Sequence, residues 1–143
     1  MPSRAAGTLQ SLGLLILRVG AGGLLLGGHG WAKITHFSES AATFADPIGV
    51  GHGVSLALVV FAEVVCAALV AVGLATRIAS IPIIIFLCVA AFLQHADDPW
   101  SKKELALVYL VPFLAILAAG GGRFALDAVV SRFFARPTRG SEP

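Results

Sequence analysis

Residues 54–74 read VSLALVVFAEVVCAALVAVGL. Apart from Glu63 the run is uncharged, and it matches the roughly 20 apolar residues that a membrane-crossing helix needs. Three further runs flank it. Residues 9–28 come before it and are interrupted by Arg18. Residues 78–94 come after it and carry no charge, and residues 105–120 contain Pro112. The last two sit at the short end of the spanning range. They need Arg77, Lys102 and Lys103 to snorkel, or a locally thinner bilayer. The alternative is two spans with two interfacial segments. The expected fold is therefore all-α: an integral membrane four-helix bundle over residues 1–120, followed by a cytoplasmic amphipathic helix and tail over 121–143.

Composition points the same way. The 143 residues are 57% hydrophobic and 13% charged, against about 25% charge in soluble domains. A chain this short and apolar cannot bury its own hydrophobic surface, so membrane lipid is its first partner. A net charge of +2, without an aromatic-interleaved basic patch, gives no reason to expect nucleic acid. Cys66 and Cys88 lie in separate apolar runs with no CxxC or zinc spacing, and are read as core packing. The first run is longer than the roughly 7–15 residues of a signal-peptide core. It contains Arg18 and leads into His29-Gly-Trp31-Ala-Lys33, so an uncleaved helix is expected.

The connectors give the topology. Gly73-Leu-Ala-Thr-Arg77 is short enough to force a tight antiparallel hairpin, and Asp97-Asp98-Pro99 stops a helix. The loop over 34–53 has room for a short surface helix. Arg4, Arg77, Arg123, Arg132, Arg136 and Arg139 fall on one side, and Lys33, Lys102 and Lys103 on the other. Basic residues mark the cytoplasmic side, which places both termini inside. Trp31 and Trp100 then share the outer interface. In the tail, Leu126, Val129, Val130, Phe133 and Phe134 follow the helical i, i+3, i+4, i+7 pattern. Arg123, Asp127, Ser131 and Arg132 lie opposite. This predicts a basic amphipathic helix on the cytoplasmic leaflet, with docking of a soluble partner as the sharper reading. Gly73…Arg77 and Gly122-Arg123, with His29…Trp31 and His95…Trp100, hint at a two-plus-two duplication.

Charges inside a bilayer are costly, about 2.5–3.5 kcal/mol each on insertion scales. Counted from the inner ends of their runs at 1.5 Å per residue, Arg18 lies about 14 Å deep and Glu63 about 16 Å. An Arg18–Glu63 ion pair would offset both costs. It would either lock the first two helices together or order a functional site. A second group gathers at the outer ends: His29, Lys33, His95 and Glu104. Arg18 and His29, eleven residues apart, return to within about 20° of one another on an ideal helix. Cys88 and His95 also share a face. One interior face would thus run from the central pair to an outer cluster of His29, His95 and Glu104. Metal binding is disfavoured there, because no HxxxH or ExxH spacing supports it. A polar pocket for a small ligand is preferred to separate, solvated histidines, and His36 and His52 are read as solvated loop residues. Gly23…Gly27 is a GxxxG match with Gly20, Gly22 and Gly28 close by. Packing within the bundle is favoured for it over dimerisation, with a homo-oligomer left open.

These residues resemble a known family. Leu17-Arg18-Val-Gly20 leading to Gly28-His29-Gly30-Trp31-Ala-Lys33 is similar to the opening of the DoxX family of bacterial membrane proteins. Glu63 followed by Gly73-Leu-Ala-Thr-Arg77, then His95, then Gly120-Gly-Gly-Arg123-Phe-Ala-Leu-Asp127, resemble its later motifs. The resemblance covers 12–127. It implies a multi-pass protein of the bacterial inner membrane, in a family named after a quinol oxidase subunit. Relatives act in thiosulfate:quinone reduction or associate with soluble oxidoreductase partners. Quinone is the cofactor this implies. On that reading His29 and His95 hydrogen-bond and protonate a quinone carbonyl, and Glu104 orients a histidine. Arg18, Glu63, Lys33 and Trp31 shape the binding pocket. No haem, nucleotide or metal motif is present, so the chain carries no evident electron carrier. A non-catalytic scaffold for oxidoreductase partners is the alternative, and a small-molecule or proton carrier the third.

Overall fold

Lipid offers a backbone no hydrogen bonds, so each apolar run must close its own N–H···O=C ladder. The computed structural model does so. It describes residues 4–134, and among these every regular element is helical. Helix α1 spans Ala6–Thr35, α3 His52–Val72 and α4 Thr76–Gln94; all three are long and apolar enough to cross a membrane. Between α1 and α3 lies a single short turn of helix, α2 (Phe37–Ser40). Helix α5 (Trp100–Ala119) has the length of a span but carries Lys102, Lys103 and Glu104 among its first five residues. Helix α6 covers Leu126–Phe134.

The surface is that of a lipid-covered body. Leu9, Ile16, Ile78 and Val111 are each about two-thirds exposed or more, an apolar display that water would not tolerate. The interior is small and well filled. Leu25, Leu56, Val70, Ile83, Phe113 and Ile116 are almost fully buried. Each of the four long helices packs on two of the others: α1 on α3 and α5, and α4 on α3 and α5. The close approach of α1 to α3 is made at Gly22 and Gly30. A Cβ at Gly22 would stand 2.7 Å from the Ala67 carbonyl oxygen, and one at Gly30 2.8 Å from that of Glu63. Gly23 and Gly27 face open space. The GxxxG pair therefore does not carry packing within the chain.

The expected boundaries shift in one instructive place. The first apolar run covers 9–28, but α1 continues to Thr35. At 1.5 Å per residue it is about 45 Å long. Three helices also contain one wide turn each: Leu26–Gly30 in α1, Phe61–Cys66 in α3 and Ala90–Gln94 in α4. In these the N–H groups of Trp31, Ala67 and His95 bond the carbonyls of Leu26, Ala62 and Ala90, five residues back instead of four. Each such π turn accommodates an extra residue. It rotates the remainder of the helix by about 100° relative to an unbroken α-helix.

The α3–α4 hairpin is as tight as its sequence requires. Gly73 (φ 81°) and Ala75 (φ 49°) both adopt left-handed backbone, which a non-glycine residue accepts only when held there. The holder is Asp127, at the start of α6. The predicted amphipathic helix begins at Leu126 rather than Arg123. Leu126, Val129 and Val130 are more than two-fifths exposed. Arg136, Arg139 and the rest of the expected tail lie outside the described residues, as do the side chains of Arg4, Arg132, Phe133 and Phe134.

Candidate functional site

The polar interior divides into two clusters at opposite ends of the helices. At the Gly73 end, Arg18 is 2% exposed. Its guanidinium donates to the carbonyl of Ala71 and, at 2.7 Å, to that of Phe124. Asp127 accepts from the N–H groups of Ala75 (2.7 Å) and Thr76 (2.9 Å) and from the Thr76 hydroxyl (2.8 Å). It thereby caps α4 from a distant part of the chain. Its own N–H donates to Gly73 O. Burial works against its charge, but the three hydrogen bonds and the nearby Arg18 outweigh it and hold the carboxyl below the usual carboxylate range. Arg77 donates to Ala118 O and closes the last turn of α5. The two glycine–arginine motifs interlock. A Cβ at Gly73 would lie 2.7 Å from both Ala125 Cβ and Arg18 Nη1, and one at Gly121 2.8 Å from Thr76 Oγ1. Packing this close leaves no room for a ligand.

Glu63 sits midway along α3, in the cluster that extends toward the other end. Its side chain is 3% exposed and pairs with Lys33 Nζ at 2.6 Å. The expected Arg18–Glu63 pair does not form. Arg18 lies level with Ala71 near the end of α3, because the paired part of α1 starts later than the apolar run does. Lys33 is available because α1 continues past residue 28. Lys33 also reaches the His29 carbonyl at 3.4 Å. The His29 ring meets Tyr109 edge-on, with centroids 5.5 Å apart and planes at 88°.

These groups surround a cavity of about 230 Å³ whose walls include His29, Lys33, Glu63, Gln94, His95 and Tyr109. All three π turns contribute: His29 from α1, Glu63 from α3, and Ala90 with Gln94 from α4. Wide turns of this kind recur at functional sites, because they displace a side chain and loosen a backbone carbonyl. His95 is oriented from behind. Its Nδ1–H donates to Asp98 Oδ2 at 2.6 Å. That bond, aided by Lys102 and Lys103, holds the Asp98 carboxyl below its ordinary range. It also leaves Nε2 as the ring nitrogen that Asp98 does not engage.

Of the residues assigned to one site from sequence, His29, His95, Lys33 and Glu63 line the cavity. Arg18 belongs to the opposite end. Glu104 is exposed and lies off the cavity wall, and Asp98 holds His95 in its place. Trp31 is 62% exposed and is not part of the cavity wall. The turn at Leu26–Gly30 lies between Arg18 and His29, and the two side chains belong to different clusters. Tyr109 and Gln94 are silent in the sequence, since no spacing rule singles out a lone tyrosine or glutamine. Asp98 is legible there only as a helix stop.

Three apolar helices long enough to span a membrane, with buried charge clusters at both ends, define a multi-pass membrane protein. The DoxX family model matches residues 13–96, more than half of the chain. The chain belongs to the DoxX family. The match runs through α1, α3 and α4 and contains Arg18, His29, Lys33, Glu63 and His95. No curated protein and no solved structure matches the chain.

Proposed function

We propose that this protein is a four-span subunit of a membrane redox system, and that the Glu63–Lys33 cavity binds a quinone head group. The observation that carries the reading is the convergence of three π turns on one small polar cavity. A quinone supplies two-electron, two-proton chemistry when bound. The chain supplies placement. The His29, Tyr109 and His95 side chains offer hydrogen bonds to carbonyl or hydroxyl oxygens, so the donor set fits such a head group. The Lys33–Glu63 pair keeps a charged, hydrogen-bonding wall in an otherwise apolar interior. His95 Nε2, with Asp98 behind Nδ1, holds or releases a proton at the open end. Electrons come from a partner oxidoreductase.

The membrane placement follows from charge. Six Lys/Arg against three put both termini in the cytoplasm and the cavity near the outer face of the bacterial inner membrane, with α5 as the fourth span. The exposed apolar side of α6, anchored through Asp127, supports a second reading in which the chain is a scaffold that recruits soluble oxidoreductases. The α6 helix with its tail is then the docking element.

Quinone recovered per protomer, from protein purified in mild detergent, tests the first reading. Stoichiometric quinone in wild type and its loss in His29→Ala and His95→Ala support it. Absence of quinone from wild type moves the weight to the scaffold, for which removal of residues 132–143 should release a co-purifying oxidoreductase.

A further inference from the structure

Beside the polar cavity lies a larger apolar one, about 410 Å³, between the 34–53 loop and helices α3 and α4. The two share Phe44, Val59, Phe86, Ala90 and Gln94 as a common wall. The apolar cavity has two polar side chains, Ser55 and Gln94. The Ser55 hydroxyl is already spent on Asp46 Oδ1 at 2.6 Å, and Gln94 stands at the boundary. Nothing within it would hold a polar group. Its mouth opens between α3 and α4 at Leu58, Phe61 and Ile85, which are 52%, 47% and 59% exposed. All three belong to spanning helices, so the mouth faces lipid rather than water.

The outer wall is built rather than incidental. Asp46 accepts from the Val50 and Gly51 N–H groups as well as from Ser55. This folds Phe44, Pro47 and Ile48 over the end of α3. The polar cavity alone is smaller than the roughly 300–1,000 Å³ of typical small-molecule sites, whereas the two together fall well inside that range.

We propose that the apolar cavity is the tail channel of the same site, and that the ligand is an amphiphile with a polar head at Glu63–Lys33 and an isoprenoid-type chain leaving laterally between α3 and α4. This rests on the quinone reading of the polar cavity. It adds that the ligand arrives from within the bilayer, and that much of its affinity resides in a chain the polar residues never touch.

The test compares a benzoquinone bearing no tail with one bearing two isoprene units, titrated into full-length protein in nanodiscs. Tailed quinones also partition into lipid, so the quantity read is the ratio between wild type and variant in the same nanodisc. Val89→Trp narrows the channel from α4. Ile48→Trp narrows it from the exposed loop wall, where the fold tolerates bulk. Burying two isoprene units contributes more than a tenfold change in affinity. Each variant should therefore weaken the tailed quinone by about tenfold or more, and leave the tailless one unchanged. Equal affinity of the tailed quinone for wild type and both variants overturns the channel and leaves the head-group site standing. An equal loss of both quinones also overturns it, since the cavity then has no separate tail section. Failure of wild type to bind either quinone overturns the head-group reading and the channel with it.

Discussion

The two ends of the bundle each bury a charge, and they handle it in opposite ways. Arg18 meets backbone: the Ala71 and Phe124 carbonyls accept its hydrogen bonds, and Asp127 stands near enough to offset its charge. The helices there are regular, and glycines let the chain close to contact distance. Glu63 meets a single flexible lysine, beside a cavity framed by three π turns. A buried charge enclosed by carbonyls and tight packing is a clamp. A buried charge that faces an open volume, with histidines and a tyrosine around it, is equipped to meet something else. Intramembrane charge thus marks a site only when space comes with it.

That contrast can be broken by mutation. The largest expected effect is at Arg18. Arg18→Ala leaves the Ala71 and Phe124 carbonyls without their donor and opens a hole, and should cost about 3–4 kcal/mol of thermal stability in detergent. The quinone retained per folded protomer should not change. Loss of quinone from a still-folded variant would mean that the two ends are one site.

Asp127→Asn comes next, at about 2 kcal/mol, since it weakens the cap on α4 and leaves Arg18 without its nearby charge. Its pH signature is specific. The Asp127 carboxyl is held below its unfolded value. Its contribution is therefore complete above about pH 4 and fades as pH falls through the lower, folded value. Melting temperature measured against pH should show a shallower acid limb in the variant than in wild type. An unchanged acid limb would place the acid sensitivity elsewhere.

At the open end the order of effects reverses. Glu63→Gln keeps the shape and a hydrogen bond to Lys33, and should cost only about 1 kcal/mol of stability. Quinone affinity should fall about tenfold, read by titration in nanodiscs. A large stability loss without an affinity change would make Glu63–Lys33 a second clamp. The smallest effect is Tyr109→Phe. The ring contact with His29 survives, so the melting temperature should stay within about a degree or two of wild type. Quinone affinity should drop only a few-fold if the hydroxyl reaches the ligand.

Much of this is legible in the sequence. The apolar runs mark three of the long helices to within a few residues, because the need to satisfy backbone groups in lipid is a one-dimensional constraint. The hairpin at Gly73 and the stop at Asp97-Asp98-Pro99 are local turn chemistry. His29, Lys33, Glu63 and His95 stand out because polar groups are rare in such runs. Their partners do not stand out. Pairing Arg18 with Glu63 assumes that the first two helices start level at the inner ends of their apolar runs. They do not: Arg18 lies against Ala71, eight residues beyond Glu63. The glycine–arginine motifs look like a duplication in one dimension, and in three dimensions they are a contact.

By itself the sequence determined that this chain is a helical membrane protein, where its helices run, and which few side chains had to find special partners. Hydropathy and run length suffice for that, since the solvent selects helices of a given length whatever their neighbours. Only the tertiary structure decided which partners they found. A π turn costs one residue of phase and leaves no compositional trace. Helix register depends on the summed packing of glycines and side chains along every helix interface. Those two quantities put Arg18 in a clamp, Glu63 on a cavity, and a second, apolar cavity beside it.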